Sequence, residues 1–258
     1  MRAAGFTLIE LVVVITVMAI LSVGAATFIG DATDGYAATV RRSELGGTAR
    51  LAAERITREL RVALPNSVRV TGGCLEFIPT EGGSTYLTLP VSTVGTTFDV
   101  VAPIDPSAAG ARIAVFPDTA ATVYAIGAAG VISPSAAFSA PDAGNVVHVT
   151  LASAHRFPIE SPSRRFYLLR TPVSYCVDQN RLWRYQGYGF SVTQPTVAGL
   201  PTSEPGRSPI GEDVVSPAPF ALSGATLTRN AEIALDLQFQ DGNDVLRFQH
   251  TVQLRNVP

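Results

Sequence analysis

The sequence has no lysine, only three histidines and only two cysteines among its 258 residues. All 19 basic residues are therefore arginines, and with 21 acidic residues the formal net charge is −2. A chain this close to neutrality has no general electrostatic attraction for nucleic acid or for an anionic membrane surface, so we expect no nucleic-acid partner. The absence of a CxxC pair, with only His148, His155 and His250 available, argues against a metal site.

Recognisable catalytic motifs are missing as well. The chain has no GxSxG, HExxH or P-loop sequence and no GxGxxG between a strand and a helix. His250 falls in the apolar register of the last predicted strand, where a half-buried structural histidine is more common than a catalytic base. The pair Glu212-Asp213 lies in a proline-rich stretch, where carboxylates are usually solvated. We therefore predict that the protein is not an enzyme and uses no cofactor.

What the chain does have is a long apolar run near its N-terminus. Between residues 6 and 29 the only charged side chain is Glu10. A helix over these residues, at about 1.5 Å per residue, is long enough to cross a bilayer. Arg2 is the one positive charge before the run, which places that end on the cytoplasmic side. Residues 6–29 are thus predicted to form a single transmembrane helix, with the rest of the chain outside the cytoplasm.

A carboxylate in this run needs a partner, because an unpaired charge in hydrocarbon costs about 2.5 kcal/mol or more. Cleavage of the Gly5–Phe6 bond would supply one, since the new α-amino group of Phe6 is a cation that Glu10 of a neighbouring copy can meet. Gly5 also leaves the scissile bond sterically open. The alternative is a secretory signal or signal anchor, but such an apolar core is usually shorter and is cleaved after it, for which Val23-Gly24-Ala25 is a candidate.

The stretch Gly5-Phe6-Thr7-Leu8-Ile9-Glu10-Leu11 resembles the class III leader of type IV pilins and type II secretion pseudopilins. The resemblance implies that prepilin peptidase removes residues 1–5, that Phe6 is N-methylated, and that Glu10 acts in assembly. It implies an inner-membrane subunit with a periplasmic ectodomain, which later enters a pilus or pseudopilus. The implied partners are sibling major and minor pilins and an inner-membrane assembly platform. Residues 55–65, 74–79 and 172–185 look like the larger minor pilins of this family.

Beyond residue 29 the chain becomes polar but keeps a helical period. Apolar residues recur at spacings of three to five, which predicts an amphipathic helix over residues 30–65 with one face packed on a sheet. The members of this stripe are Val40, Leu45, Ala49, Ala52, Ile56, Leu60 and Leu64. Pro65 is expected to end the helix. Gly30, Gly35 and the pair Gly46-Gly47 each weaken it by up to about 1 kcal/mol, so bends or local melting are expected there.

From residue 66 to residue 258 the pattern is typical of β-structure. Short alternating or apolar runs predict strands at residues 67–71, 74–79, 85–91, 98–102, 112–116, 122–126, 146–152, 166–177 and 182–185. Residues 178–180 are expected to turn one hairpin, and residues 233–239 and 246–254 to form a last one. Six prolines in residues 194–219 exclude a central strand and predict an exposed loop, and residues 133–144 suggest a second excursion. The predicted fold is α+β and pilin-like, with a long helix packed on an antiparallel sheet.

The two cysteines lie in the part of the chain that is predicted to leave the cytoplasm, where disulfides persist. A bond between Cys74 and Cys176 would close a loop of about a hundred residues, which the chain-entropy account values at roughly 4.7 kcal/mol. Two separate buried thiols are the alternative. The compartment and the even count favour the bond.

Two further clusters allow a binding role. Asp241, Asn243 and Asp244 place oxygen atoms at close spacing for Ca²⁺, although a plain β-turn is the favoured interpretation. Trp183, Tyr185, Tyr188 and Phe190 could form a contact surface for a glycan. Aromatic residues on strands more often fill cores and sheet faces, which is the interpretation preferred here.

Overall fold

The computed structural model describes residues 7–104, 108–224, 230–242 and 244–254. Helix α1 runs without interruption from Leu8 to Arg61. The expected local melting is therefore absent, since the helix continues through Gly30, Gly35 and the pair Gly46-Gly47. A Cβ atom added at any of these glycines would meet nothing within 4 Å, so packing does not require them.

The end of α1 lies before the predicted end at Pro65. After Arg61 the chain turns to pair with the segment that follows the second strand: the Leu64 N–H donates to the Ile78 carbonyl (2.8 Å) and the Thr80 N–H donates to the Val62 carbonyl (2.9 Å). These tertiary hydrogen bonds replace the helical ones, so the helix ends before the chain reaches Pro65. The change of direction brings residues 62–64 against the base of the β-region.

One face of α1 is buried, as the stripe predicted. Leu45, Ala49, Ala52, Ile56 and Leu60 are all buried, and the helix packs against β13, β14 and β11, defined below. Val40 is the exception, because its side chain remains 37% exposed. Full burial on this face thus begins at Leu45.

Fourteen strands and a second, much shorter helix follow within the described residues. In chain order they are β1 Arg69–Thr71, β2 Cys74–Phe77, β3 Thr80–Thr85, β4 Gly95–Val101, β5 Arg112–Val115, α2 Ala120–Tyr124, β6 Ile132–Phe138, β7 Val146–His155, β8 Arg165–Leu169, β9 Val173–Asp178, β10 Arg181–Gln186, β11 Arg207–Gly211, β12 Phe220–Ser223, β13 Glu232–Asp241 and β14 Asp244–Gln253. All the strand pairs are antiparallel.

The strands divide into two parts. Near α1 lie a five-stranded sheet of order β1-β2-β9-β10-β11 and a three-stranded sheet of order β12-β13-β14. With α1 they bury one apolar core, to which Ile56, Phe77, Tyr175, Leu235 and Phe239 contribute. This part, which we call the body, confirms the predicted α+β, pilin-like architecture.

The second part is inserted between β2 and β9. Its six strands have the order β3-β8-β5-β6-β7-β4. The outer strands approach each other where Tyr86 bridges Val100 and the Leu87 N–H donates to the Asp99 carbonyl (2.7 Å). The sheet therefore closes on itself over part of its height, around its own apolar core. We call this part the barrel.

Both predicted hairpins are confirmed. β9 and β10 are joined by Gln179 and Asn180, which both have positive φ angles of 49° and 58°, as a two-residue hairpin turn requires. β13 and β14 pair from Glu232↔Gln253 to Asp241↔Asp244. Asn243, which was assigned to the second turn, lies outside the described residues.

Several local predictions are wrong. Residues 122–126 do not form a strand, because Thr119 and Thr122 make a reciprocal capping box that starts helix α2. Of the strand predicted at residues 85–91, only Thr85 belongs to a strand, at the end of β3. The first half of the excursion expected at residues 133–144 belongs to β6, which lies between β5 and β7.

The proline-rich residues 194–219 are more ordered than a loop. They contain a short 3₁₀ helix at Val197–Gly199 and the strand β11, which includes Pro209. β11 lies at the edge of its sheet, where a proline leaves no interior hydrogen bond unmade. The proline-rich segment therefore contains no central strand, as predicted, but it does contain an edge strand.

Candidate functional site

The N-terminal half of α1 is uncovered by the rest of the molecule. Every residue from Thr7 to Tyr36 is exposed, whereas partial burial begins at Ala37. The helix is long and apolar enough to cross a membrane, with a mean hydropathy of 2.6 over its most apolar 18-residue window. An exposed apolar surface of this size marks a membrane or protein contact.

The first turn of this helix is held by a reciprocal pair of side chains. Thr7 is the N-cap, and its Oγ1 accepts a hydrogen bond from the Glu10 N–H (3.4 Å). Glu10 returns the interaction, because its Oε2 accepts from the Thr7 N–H (3.2 Å) and from the Thr7 hydroxyl (3.0 Å). This capping box satisfies backbone donors that no helix can pair internally.

The same geometry presents a carboxylate at the helix start. Both bonds from Thr7 reach Oε2, and within the described residues Oε1 has no hydrogen-bond partner. Glu10 is thus preorganised on the first turn while one oxygen can still meet a cation. Gly5 and Phe6, the residues assigned to cleavage and methylation, lie outside the described part of the chain.

Cys74 and Cys176 form a disulfide. They are opposite each other on β2 and β9, the strands from which the chain enters and leaves the barrel. Leu200 and the buried Tyr185 pack around the bond. The pairing favoured by the cysteine count is therefore present, and it joins the two ends of the insertion.

A buried ion pair beside the disulfide was not predicted. Glu76 is fully buried and accepts from the Nε of Arg69, while the Tyr188 hydroxyl donates to its other oxygen (3.0 Å). The Arg69 guanidinium also lies 3.5 Å from the ring centre of Tyr124, which belongs to α2. Burial raises the pKa of the Glu76 carboxyl, and the bonds from Arg69 and Tyr188 oppose that rise.

This network connects the body to the barrel, because Arg69 lies on β1 and Glu76 on β2, whereas Tyr124 lies in the insertion. A signal for it was present in the sequence. Gly72-Gly73 is a tight-turn pair, and a hairpin centred on it places Arg69 opposite Glu76, as observed.

The four aromatic residues assigned to a possible glycan surface are mainly packed. Tyr185 is buried, and Tyr188 is hydrogen-bonded to Glu76. Trp183 is covered by the Arg207 guanidinium, 4.4 Å from its ring centre, and Phe190 faces Arg112 at 5.4 Å. These contacts favour the packing role over a contact surface.

The histidines serve different local purposes. His148 bonds through Nδ1 to Asp99 (2.6 Å) on the barrel surface. His155 is buried, and its ring nitrogens face the carbonyls of Gly127 (3.2 Å) and Gly130 (2.9 Å). Its burial lowers its pKa, and the two carbonyls partly oppose this effect. His250 is exposed on β14, so the prediction that it is half-buried is wrong.

Of the acidic residues considered for Ca²⁺, Asp244 is paired with arginines instead. The Asp244 carboxylate bonds to Arg42 (2.8 Å) and Arg41 (3.3 Å), which ties the last hairpin to α1. Among the residues that the structure describes, no group of three or more histidine, cysteine, aspartate or glutamate side chains is arranged to hold a metal ion. A cavity of about 880 Å³ between the body, the barrel and the proline-rich segment has no histidine in its lining.

Comparison with known proteins bears on the start of the chain. Residues 1–26 match the family model for the prokaryotic N-terminal methylation motif. No curated protein and no solved structure matches the chain. The chain thus starts with a prepilin-type methylation motif, and its long apolar helix and antiparallel sheets give it the architecture of type IV pilin-like proteins. Proteins of this class are typically structural subunits that prepilin peptidase processes.

Proposed function

We propose that the protein is a minor subunit of a type IV pilus that promotes initiation or assembly of the filament, in the manner of MshO of the mannose-sensitive haemagglutinin (MSHA) pilus. The observation that carries the proposal is the position of Glu10, the one charge between residues 7 and 29 of an exposed apolar helix that begins within the methylation motif. A soluble domain has no use for such a surface, whereas a subunit that moves from membrane to filament needs it.

The proposed sequence of events begins in the inner membrane. Prepilin peptidase cuts the Gly5–Phe6 bond and Phe6 is N-methylated, which leaves a cationic amine. The apolar half of α1 then exchanges lipid for neighbouring helices as the subunit is extracted by the assembly platform. Glu10 neutralises the Phe6 ammonium of an adjacent subunit. A desolvated pair of this kind is favourable only with good alignment, and an unpaired charge there is strongly destabilising.

The comparison with MshO rests on the segment 74–79 and its partner Cys176. A J-type minor pseudopilin of a type II secretion system is the alternative within the same class. The length of the chain and the inserted barrel argue against the main repeating subunit. The presence of Glu10 argues against the extreme tip, where the resembling K-type subunits lack this carboxylate.

A membrane-anchored adhesin is the alternative from another class. It would need an exposed recognition surface on the ectodomain. The packing of Tyr185 and Tyr188 removes half of the aromatic group that suggested such a surface. Assembly is therefore the function that the geometry supports best.

The proposal is tested with Glu10→Ala, compared with Glu44→Ala. Glu44 is an exposed carboxylate on the packed half of the same helix, so it is a matched control for loss of one charge. We expect both variants to accumulate in membranes, and only Glu10→Ala to be missing from sheared filaments. The assembly mechanism fails if Glu10→Ala joins its partner pilins as well as the wild type does.

A further inference from the structure

The strand β3 is paired along its length on one side only. It pairs with β8 from Thr80 to Thr85. On its other side the described residues make contacts at the two ends: the Thr80 N–H donates to Val62, and beyond Thr85 the chain pairs with β4 through Tyr86 and Leu87. Between these points the Ser84 hydroxyl reaches β4 by donating to the Val101 carbonyl (2.7 Å), but the backbone groups of residues 81–85 have no described partner on this side.

The open edge consists largely of backbone. Gly82 and Gly83 are exposed, and they leave both faces of the strand beside this edge free of side chains that an incoming chain would have to accommodate. Gly83 cannot be replaced without strain, since a Cβ there would lie 2.3 Å from the carbonyl oxygen of Phe166. Gly82 has nothing within 4 Å of a Cβ, so packing does not require a glycine there. An exposed edge of this kind is a template for pairing with another strand.

A cavity of about 760 Å³ lies alongside this edge. One wall is β3, and the other is the segment after α1, which includes Val62, Ala63 and Pro65. The volume falls within the range of about 300–1,000 Å³ that is typical of ligand sites. The space therefore has the shape of a slot between a strand edge and an apolar wall.

The charges on this slot have one sign. Arg61 and Arg165 line it, whereas the one carboxylate on this edge, Glu81, is paired with Arg170 and lines other cavities. Both arginines are exposed, and neither forms an ion pair with any other described residue. The arginines that line other cavities are mostly paired with carboxylates, as Arg170 is with Glu81 and Arg184 with Glu59. The slot is thus suited to an anionic occupant.

We propose that this slot binds an extended acidic segment of a partner pilin subunit, which adds to β3 as an extra strand. Backbone hydrogen bonds along residues 81–85 would hold the segment, and Arg61 and Arg165 would select its acidic side chains. The chemistry of the occupant follows from the slot itself, and only its source, a sibling subunit, rests on the proposed function.

Binding can be measured with the full-length protein in detergent. The probe is a labelled peptide in which valine and glutamate alternate, and a second peptide carries lysine in place of glutamate. We expect the acidic peptide to bind, the lysine peptide not to bind, and the double variant R61S/R165S to bind about tenfold more weakly. The matched double variant R50S/R156S, which removes two other exposed arginines, should bind like the wild type.

Hydrogen exchange distinguishes strand addition from simple anion binding. The amides of β3 at residues 81–85 should exchange more slowly when the acidic peptide is bound. Equal binding by the wild type and R61S/R165S, or unchanged exchange along β3, would overturn the proposal. Inorganic phosphate that displaces the peptide while β3 stays unprotected would indicate an anion site only and would also overturn it.

The source of the segment is tested in cells with a photo-cross-linking residue at Thr85, which is exposed on the edge. We expect a cross-link to an acidic segment of another pilin-like subunit, and a cross-link to a glycan or to no subunit would overturn that source. Peptide binding does not depend on cleavage at Gly5, so its failure would leave the proposed assembly function intact. Normal filament entry of Glu10→Ala would overturn assembly without affecting the peptide result.

Discussion

Cys74 and Cys176 lie opposite each other on β2 and β9, with their Cα atoms 4.3 Å apart, and the disulfide between them closes the base of the barrel. The two residues are separated by 102 positions in the chain. That segment contains all six strands of the insertion. The bond therefore holds together the two strands through which the barrel is joined to the body.

We expect the double variant C74S/C176S to be markedly less stable. Loss of a cross-link that closes about a hundred residues is worth roughly 4.7 kcal/mol in the chain-entropy account, and native disulfides typically contribute about 2–5 kcal/mol. Denaturant unfolding of the ectodomain under oxidising conditions measures the difference. Adding reductant should lower the midpoint of the wild type and leave C74S/C176S unchanged. Equal midpoints for the two proteins would contradict this role.

Removal of the buried carboxylate should be far more costly than removal of a surface one. Glu76→Ala leaves the Arg69 guanidinium without its buried partner, which costs about 3–5 kcal/mol. Glu81→Ala breaks the exposed pair with Arg170 and should cost about 1 kcal/mol or less. Unfolding free energies of both variants provide the comparison. Similar values for the two would show that the Glu76 network does not stabilise the fold.

The orientation of α1 predicts opposite outcomes for two apolar residues five positions apart. Ile56 is fully buried against the sheets, so Ile56→Ala should destabilise by about 2–5 kcal/mol. Leu51 is 69% exposed, and Leu51→Ala should change stability by about 0.5 kcal/mol or less. Thermal or denaturant unfolding tests both. A costly Leu51→Ala with a harmless Ile56→Ala would place the wrong face of the helix against the body.

The buried His155 should make stability depend on pH. Its folded pKa lies below the ordinary value of 6.5, because burial disfavours the charged imidazolium. Below pH 6.5 the unfolded chain therefore binds more protons than the folded one, so the free energy of unfolding falls as the pH drops through this window. The difference in melting temperature between pH 7.5 and pH 5 should be smaller for His155→Gln than for the wild type. His250→Gln, at an exposed position, should behave like the wild type.

The spacing of apolar residues was sufficient to predict the structure where one face of a helix or strand is buried. The stripe that includes Leu45, Ile56 and Leu60 predicted the packed face of α1, and the alternation of β13 and β14 predicted their pairing. It failed at residues 122–126, where the β-branched Thr122 and Val123 suggested a strand. The capping box at Thr119 and the burial of Tyr124 decided for a helix there.

Local sequence patterns could not predict the division into body and barrel. The barrel is closed by the bridge between Tyr86 and Val100. The alternation of apolar residues in these two segments does not indicate that they pair with each other. The early end of α1 has a similar cause, because it depends on hydrogen bonds to the Ile78 carbonyl and from the Thr80 N–H, both distant in sequence. For the site, Glu10 was evident from its isolation in an apolar run, whereas its bond to Thr7 was not predicted, although the T-x-x-E spacing of residues 7–10 is a capping-box signature.

The central claim is that the chain follows the pilin pathway, and the mature N-terminus tests it most directly. Mass spectrometry would be applied to the protein from membranes of cells with and without prepilin peptidase. The account predicts a chain that begins at N-methylated Phe6 only when the peptidase is present. A chain that begins after Ala25 or Ala26, or that retains Met1 in both strains, would contradict the assembly function.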